Sequence, residues 1–296
     1  MFTEDEARAH LDEVLTRLGV AAVDRIMLGI DMGGVPLPAY PAPLTRPGLR
    51  EREQRWCRFV FTALMERLGP AGTLLVPSFS YSCGRPGAEF IAEATASEVG
   101  PFTEFVRSQP AAARSHHPLF SLAGVGRDAT ALLGDTGRAA FGARSPFGRF
   151  AAVGVRFLCL GVEIRNSLTY VHHLEHMYGC PHRFHKSFDT AVTAGGQLLP
   201  GDWYAYVAYR GLDYTADISS LQEGLRSGGC LAEADWNGRP NHLADVAAVD
   251  EIGYRLLEAE PCAFVDRRVG FRFEEGAPAP ADRPGTTTLV IRGTVR

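Results

Sequence analysis

The sequence predicts an α/β protein built in layers. Two long amphipathic helices are expected at residues 3–18 and 49–68. A short apolar run follows each of them, at residues 25–30 and 72–79, and both runs are typical of buried strands. Because helices and short apolar strands alternate in this way, a layered α/β fold is favoured over an all-α or all-β fold.

Composition limits the class of protein further. Of the 296 residues, 46% are apolar and 22% charged, values that are usual for a soluble globular chain. The formal net charge of −4 gives no basic footprint, so nucleic acid is not an expected partner. No apolar run approaches the roughly 20 residues that a membrane helix needs. The acidic N-terminus and six cysteines without a Cys-x-x-Cys pair favour a cytoplasmic protein with reduced thiols.

The first third of the chain has clear element boundaries. Thr3 and Glu6 form a potential capping box for the first helix, and Gly19 is its expected end. The strand at residues 25–30 runs into a turn at residues 31–34. Residues 36–47 contain five prolines and are predicted to be an ordered loop, neither helix nor central strand.

Further elements follow with shorter patterns. Helical turns are expected at residues 102–107 and 127–133, and a buried strand at 157–162. Aromatic residues at 203–209 indicate a strand, two more helices are expected at 218–226 and 245–258, and β-branched residues at 286–291 indicate a closing strand. We expect one domain over residues 1–296, with a smaller subdomain around residues 187–296.

The most chemically informative stretch is residues 166–186, which holds five of the nine histidines. A helix is expected there, capped by Asn166 or Ser167 and ended at Gly179 and Pro181. On such a helix His172, Glu175 and His176 share one face because they are spaced i, i+3 and i+4, whereas His173 points about 100° away. An imidazole beside a carboxylate can act as a tuned general base or supply half of a metal site.

The metal alternative has its own pattern. His172 to His176 spells the H-x-x-E-H sequence of inverted zinc metallopeptidases, in which the outer histidines bind zinc and the glutamate acts as base. A third ligand would have to come from elsewhere, and the candidates are Asp250, Glu251, Glu258, Cys180, His182 and His185. This pattern accounts for five residues only.

A longer resemblance accounts for about 120 residues. It rests on four ordered motifs, Arg114-Ser-His-His-Pro-Leu-Phe-Ser121, Phe141-Gly-Ala-Arg-Ser-Pro146, Leu158-Cys-Leu-Gly-Val162 and Thr169-Tyr-Val-His-His-Leu-Glu175. Together they resemble the aminoglycoside 3-N-acetyltransferase family from Gly69 to Lys186, and more faintly to Gly229. The resemblance implies a three-layer α/β/α fold with a central mixed β-sheet, unrelated to GNAT acetyltransferases. It also implies an acyl-CoA-dependent N-acyltransferase that needs no metal.

The resemblance assigns roles to individual residues. His172 is then the general base that takes a proton from the acceptor amine, Glu175 orients the imidazole, and Thr169 faces the thioester. The pantetheine and phosphate path of acetyl-CoA or another acyl-CoA is expected along Ser115, His117, Ser121 and the loop from Gly142 to Ser145. Arg114 is expected either to pair with a phosphate or to serve the structure.

One segment departs from the family. Its members usually carry His-Ser-Ser-Leu after the first strand, and this segment helps to grip coenzyme A. At this position the present chain has Gly29-Ile-Asp-Met-Gly-Gly34, which contains no hydroxyl side chain. The carboxylate of Asp31 would repel a phosphate. Gly33 and Gly34 could still offer backbone amides. An acyl carrier protein thioester, another acyl reaction such as hydrolysis or cyclisation, and a binding role without catalysis therefore stay open beside acetyl-CoA.

The acceptor is expected to be an amine of an amino sugar, an aminoglycoside or a natural-product intermediate. Carboxylates that could receive such an amine are Glu163, Asp213, Asp217, Glu233 and Asp235. The altered segment favours biosynthesis over antibiotic resistance. We expect a monomer or a homodimer.

Overall fold

A computed structural model of the chain describes residues 2–273 and 286–291. Over these residues the helices are α1 (Glu4–Arg17), α2 (Arg46–Leu68), α3 (Pro101–Arg107), α4 (Ala129–Leu133), α5 (Phe150–Val153), α6 (Val171–Tyr178), α7 (Ser219–Ser227) and α8 (Val246–Ala259). The strands are β1 (Arg25–Ile30), β2 (Thr73–Pro77), β3 (Glu89–Ile91), β4 (Ala113–Arg114), β5 (Leu122–Gly126), β6 (Val155–Leu160), β7 (Arg183–Phe188), β8 (Ala191–Ala194), β9 (Gln197–Leu199), β10 (Trp203–Ala208), β11 (Leu231–Trp236), β12 (Arg239–Asp245), β13 (Arg268–Phe273) and β14 (Thr286–Ile291).

A seven-stranded sheet in the order β11-β12-β6-β1-β2-β5-β4 forms the centre of the molecule. The three middle strands β6, β1 and β2 are parallel, and the strands on both sides of them pair antiparallel. Alternate residues of each middle strand enter different cores: Phe157 packs with α5, α6 and α8, whereas Leu158 packs with α1, α2 and α3. Helices therefore cover both faces, and the predicted three-layer α/β/α fold with a mixed sheet is confirmed.

The first predicted elements are confirmed almost to the residue. The α1 cap is a full capping box, in which the Glu6 amide donates to Thr3 Oγ1 at 3.2 Å and the Thr3 amide donates to Glu6 Oε2 at 2.8 Å. The expectation for residues 36–47 is wrong at its end, because α2 begins at Arg46 with Pro47 in its first turn. A first-turn amide has no helical acceptor, so a proline there costs the helix no hydrogen bond.

Strand β5 is not predicted by the sequence pattern. It pairs antiparallel with β2 although two of its five residues are glycines. Both glycines are needed: a Cβ at Gly124 would stand 2.6 Å from the Leu75 side chain, and Gly126 has a φ of +110°. The close approach of β5 to β2 thus selects glycine where strand propensity would not.

The C-terminal part of the chain contributes to the same sheet. Strands β11 and β12 extend it beyond β6, and α7 and α8 pack together. The predicted strands at residues 203–209 and 286–291 are present as β10 and β14, which pair with β7 and β13. The boundary of a smaller subdomain around 187–296 stays a prediction. Within the described ranges no helix combines the length and apolar character needed to cross a membrane.

Candidate active site

The histidine-rich helix α6 lies where the parallel strands end. Strand β6 ends at Leu160, and the chain passes through a short 3-10 turn before α6 begins at Val171. The expected cap by Asn166 or Ser167 is therefore wrong; Ser167 instead lies against Gly29 of β1 and accepts a hydrogen bond from Cys159 Sγ at 3.6 Å. The expected end is confirmed, since Gly179 closes α6 with a φ of +83°.

A buried carboxylate on α6 binds three side chains at once. Glu175 has a side chain only 2% exposed, and its Oε2 lies 2.9 Å from His172 Nδ1 and 2.8 Å from Arg183 Nε. Its other oxygen, Oε1, accepts a hydrogen bond from His182 Nε2 at 2.8 Å. The predicted pairing of His172 with Glu175 is thus present in the structure, within a cluster of four residues.

The cluster keeps Glu175 ionised. Burial alone would favour the neutral acid, but hydrogen bonds from His172 and His182 and the charge of Arg183 outweigh it and lower the pKa of Glu175 well below its usual range. Burial likewise opposes protonation of His182, yet its interactions with Cys262 and Glu175 raise the pKa of that imidazole. The carboxylate is therefore a fixed negative charge beside His172.

The tautomer of His172 decides what the cluster can do. His172 Nδ1 lies 2.9 Å from Glu175 Oε2 and also 2.9 Å from Arg183 Nη2. When Nδ1 carries the proton it donates to Glu175, and Nε2 is left with a free lone pair that can accept a proton from a substrate. When Nδ1 is unprotonated it accepts from Arg183 instead, and Nε2 cannot act as a base. Only the first arrangement supports general-base catalysis.

His182 and Arg183 are functional candidates whose roles in this cluster the sequence did not predict. The sequence indicates His182 only as a further candidate metal ligand. Both lie beyond the end of α6, Arg183 as the first residue of β7, seven and eight positions after Glu175. Their contacts with Glu175 depend on the turn between α6 and β7, so no spacing within α6 predicts them.

The other histidines of α6 have different surroundings. His173 is buried, and its Nδ1 donates to the Phe141 carbonyl at 2.7 Å, which ties α6 to the loop at residues 141–148. The His176 ring packs against His185 and Tyr206, with ring centroids 4.9 and 5.3 Å away. Burial and the nearby charge of His185 lower the pKa of His176 to about 4, so this imidazole is neutral at pH 7.

Thr169 precedes α6 by two residues and contributes its carbonyl, which accepts the His172 amide at 3.1 Å. Its side chain is half-buried and lines a small cavity of about 20 Å³ between β1, β6 and the start of α6. Thr169 therefore lies beside His172, as the helix spacing predicts, and its contact with a thioester stays a prediction.

Three serines expected along the coenzyme path are buried within the protein and bound to its backbone. Ser115 Oγ accepts the Leu122 amide at 2.9 Å, and Ser145 Oγ accepts the Gly148 amide at 3.4 Å. Ser121 Oγ donates to the Ser78 carbonyl at 2.7 Å. All three serines are fully buried, so their hydroxyls hold the strand ends and the loop at residues 141–148 together.

His117 is held in one tautomer. Its Nδ1 accepts the amides of Leu119 and Phe120 at 3.2 and 3.1 Å, so the proton must lie on Nε2, which donates to the Tyr204 carbonyl at 3.2 Å. Burial lowers the pKa of His117 to about 4. The side chain is therefore a neutral bridge between the loop after β4 and β10.

Arg114 is fully engaged with the protein itself. Its Nε donates to Ser121 Oγ at 3.1 Å, Nη2 donates to the Ser78 carbonyl at 2.9 Å and to Ser80 Oγ at 3.1 Å, and Nη1 donates to the carbonyls of Ala92 and Thr95. Burial lowers its pKa to about 10. These contacts favour the structural alternative over a phosphate contact, because they occupy the donors of the guanidinium.

The glycines after β1 offer no free amide. The Gly33 amide donates to Asp31 Oδ1 at 2.9 Å, and the Gly34 amide donates to the Asp31 carbonyl at 2.9 Å. Gly34 also lies directly against Gly161, where a Cβ would stand 2.4 Å from the carbonyl oxygen. Both amides donate hydrogen bonds to Asp31, so the structure does not support the expectation that Gly33 and Gly34 supply amides to coenzyme A.

The acidic candidates for the acceptor are spread over several elements. Glu163 accepts hydrogen bonds from Gln222 at 2.9 Å and His242 at 3.2 Å. Asp213 pairs with Arg267 at 2.7 Å, and Asp217 accepts the Ser219 amide at 2.9 Å. Of the three, Glu163 lies in the loop that leads from β6 to α6, on the same side of the sheet edge as His172.

The residues of the zinc pattern do not converge. Both oxygens of Glu175 are bound to His172, His182 and Arg183, while His176 packs against His185. Asp250 interacts with Tyr170 and His173, on a different face of α6. Among residues 2–273 and 286–291 no three His, Cys, Asp or Glu side chains are arranged to share an ion. The geometry gives the metallopeptidase alternative no support.

Comparison with known proteins points in one direction. The model of a family described as aminoglycoside 3-N-acetyltransferase matches residues 52–258. Aminoglycoside N(3)-acetyltransferase VIII of Streptomyces fradiae is 28% identical over 168 residues, 54% of this chain and 58% of that protein. The aligned part thus spans little more than half of that relative. Aminoglycoside N(3)-acetyltransferase VII of Streptomyces paromomycinus is 25% identical over 278 residues, 85% of this chain and 91% of that protein.

A solved structure gives the same fold. AAC-IIIb in a binary complex with CoASH superposes with a TM-score of 0.66 and 22% identity, over 87% of this chain and 97% of that one. The family match covers α6 and its four-residue cluster, as well as the loop at residues 141–148. The cluster therefore lies inside the part of the chain that the family model matches.

Proposed function

Because this chain belongs to the aminoglycoside 3-N-acetyltransferase family and is therefore an acetyltransferase, we propose that it moves an acetyl group from a CoA thioester to an amine with His172 as general base. The observation that carries the proposal is the buried carboxylate of Glu175, 2.9 Å from His172 Nδ1. It favours the tautomer that leaves Nε2 free to accept a proton.

The proposed reaction is a direct transfer. The acceptor nitrogen attacks the thioester carbonyl while His172 Nε2 takes one of its protons, so a C–N bond forms as the C–S bond breaks. The thiolate of coenzyme A leaves, and the proton held on His172 can return to that sulfur. Glu175 stabilises the transient imidazolium, and a positioned base of this kind typically gives about 10²–10⁴-fold in rate.

His182 and Arg183 act on the carboxylate rather than on the substrate. His182 Nε2 donates to Oε1 of Glu175 at 2.8 Å, and the Arg183 guanidinium forms an ion pair with Oε2 at 2.8 Å, so both contacts hold the carboxylate beside His172. Arg183 also competes for His172 Nδ1. When Nδ1 carries a proton, it has no lone pair to accept a hydrogen bond from the Arg183 guanidinium. It then donates to Glu175 instead.

For the acceptor we propose an amine on an amino sugar, an aminoglycoside or a natural-product intermediate. The names of the two Streptomyces relatives support an aminoglycoside-like amine. Glu163 is the carboxylate best placed to receive a second ammonium group of the acceptor, because it lies between β6 and α6 and is one-third exposed. The binary complex of AAC-IIIb with CoASH supports an acyl-CoA donor; a thioester on an acyl carrier protein is the alternative.

A donor screen tests the proposal. The protein is incubated with acetyl-CoA and a panel of amines that includes aminoglycosides and amino sugars, and the free thiol is measured. His172→Ala should abolish thiol release while circular dichroism stays unchanged, and His116→Ala, outside the cluster, should retain it. Turnover by the His172 variant equal to that of the wild type would exclude the assigned base. Absence of turnover with acetyl-CoA, together with turnover on a carrier-protein thioester, would reassign the donor.

A further inference from the structure

The imidazole of His172 needs more than its polar contacts to keep one orientation. Its Nδ1 lies 2.9 Å from Glu175 Oε2 and from Arg183 Nη2, but the side chain is 31% exposed. Contacts at one nitrogen fix the place of that atom and leave the ring plane free to tilt about it. The direction of Nε2 matters for a general base, because a misplacement of about 1 Å can cost about 10²-fold in rate.

Phe141 provides a second contact with the His172 ring. The two rings meet edge-on, with centroids 5.3 Å apart and planes at 65°. Phe141 is buried and also packs against Phe120 and Phe147, with ring centroids 5.1 and 5.4 Å away. Its ring thus joins the aromatic core to the proposed base, and a shift of Phe141 would change the surface against which His172 packs.

The backbone of Phe141 is bound by the residue that follows His172. His173 Nδ1 donates to the Phe141 carbonyl at 2.7 Å. Phe141 lies between α4 and α5, outside the helices and strands, and among residues 2–273 and 286–291 no backbone amide donates to its carbonyl. A buried carbonyl needs a partner, and the His173 imidazole supplies it.

His173 is itself well fixed. It is buried, its ring centroid lies 5.1 Å from that of Tyr170, and the charge of Asp250 on α8 acts on it. Burial lowers the pKa of His173, so the imidazole is neutral at pH 7. Because a carbonyl can only accept, the single ring proton lies on Nδ1. The hydrogen bond to Phe141 therefore does not require a charge on His173.

We propose that His173 is a positioning residue for the proposed base, His172. Its hydrogen bond holds Phe141 against the His172 ring, so two consecutive histidines act together although they point about 100° apart on α6. Glu175 then fixes the tautomer of His172, and Phe141 limits the tilt of its ring. The role of His172 as base rests on the proposed function. The placement of the two rings can be measured without turnover, so its failure is distinct from a failure of that function.

Two replacements of His173 separate the hydrogen bond from the volume of the side chain. His173→Asn keeps an N–H donor near the position of Nδ1, whereas His173→Leu fills the space without a donor. In protein labelled at phenylalanine and histidine, the NOE between the ring protons of Phe141 and His172 should be present in the wild type and in His173→Asn. It should be lost in His173→Leu. An NOE of wild-type strength in His173→Leu would overturn the proposal.

Steady-state kinetics with acetyl-CoA and an amine give the second measurement. His173→Leu should lower kcat about tenfold and change each KM less than about threefold, and His173→Asn should restore most of kcat. Because His173 acts through Phe141, the double variant with Phe141→Leu should be no slower than Phe141→Leu alone. Phe2→Leu is the matched control: it removes an edge-on contact with His10 of α1, at 4.9 Å between centroids, and should keep the wild-type kcat.

Three kinetic results would contradict the positioning role. An unchanged kcat in His173→Leu would show that the hydrogen bond serves the fold only. A loss confined to the KM for acetyl-CoA would show that His173 holds the loop for the donor and not for the base. Losses that add in the double variant would show that His173 does not act through Phe141.

Discussion

Replacement of Glu175 by glutamine removes one charge from the centre of the site with little change of shape. The side chain is 2% exposed and its two oxygens are bound to His172, His182 and Arg183 at 2.8–2.9 Å. Glutamine retains one carbonyl oxygen but presents an NH₂ group where the second oxygen was. Arg183 is then left buried without its carboxylate, and His172 Nδ1 can face a donor instead of an acceptor.

Two magnitudes follow from this geometry. Removing one partner of a buried ion pair costs about 3 kcal/mol, because the remaining charge stays desolvated. An imidazole in the wrong tautomer cannot act as a base, so kcat should fall about 10³-fold, which corresponds to about 4 kcal/mol in the activation barrier. The pKa of Glu175 is lowered in the folded state, so its contribution to stability is present above the unfolded value of about 4.3 and is lost as pH falls through the folded value.

The assay separates stability from activity. Urea denaturation of the wild type and Glu175→Gln is measured between pH 4 and pH 8, and thiol release is measured where both are folded. The gap in unfolding free energy should be larger at pH 6 than at pH 8, because the protonated His182 adds to the interaction with Glu175, and it should narrow as pH falls below about 5. Glu223→Gln is the control, because Glu223 pairs with Arg226 at 2.8 Å but is 65% exposed and lies outside the site.

The result that refutes the reasoning is specific. If Glu175→Gln and Glu223→Gln lose the same stability, the buried cluster contributes no more than a surface ion pair, which is worth about 0–1 kcal/mol. If kcat is unchanged while stability falls, Glu175 serves the fold and does not orient His172. Either outcome would leave the proposed base without its partner.

Three further changes have defined outcomes. His182→Gln should lower kcat about tenfold, and because the pKa of His182 is raised, its stability gap to the wild type should be larger at pH 6 than at pH 9 in urea denaturation. The pKa of His117 is about 4 in the folded state and 6.5 in the unfolded state, so the free energy of unfolding should fall by about 3 kcal/mol as pH drops from 6.5 to 4. His117→Gln should not show this pH dependence, and an equal dependence in the variant would refute the assignment. Gly34→Ala should cost about 1–3 kcal/mol in the same measurement, since its Cβ would meet the Gly161 carbonyl at 2.4 Å, whereas Gly33→Ala, facing only the Asp31 carboxylate at 3.3 Å, should be tolerated.

Much of the fold could be predicted because its elements are locally encoded. Strand β1 matches the apolar run at residues 25–30, and α1 matches its capping box. The exceptions are elements whose sequence is dictated by neighbours. Gly124 and Gly126 look unlike a strand, but β5 needs them because β2 lies too close for side chains. Such tertiary constraints cannot be recognised from one stretch of sequence.

The part of the candidate site that depends on local spacing could also be predicted from the sequence. His172 and Glu175 are one helical turn apart, so spacing alone brings them together. His182 and Arg183 reach Glu175 only after the chain has turned from α6 into β7. For Ser115, Ser121 and Ser145 the prediction of a ligand contact is not supported by the structure. A polar side chain in a motif can bind either a ligand or the backbone, and the sequence does not show which of the two its burial will favour. Here burial favours the backbone.

The segment after β1 bears on the choice of acyl donor. The segment after β1 has no hydroxyls, and Asp31 binds the amides of Gly33 and Gly34, which places a carboxylate where coenzyme A is gripped in the family pattern. A donor phosphate that reached this segment would meet the Asp31 carboxylate, and the amides of Gly33 and Gly34 would not be free to bind it. If the donor passes this segment, Asp31→Asn should lower the KM for acetyl-CoA in thiol-release kinetics, because it removes a negative charge that repels phosphate. An unchanged KM would show that the donor phosphates bind elsewhere.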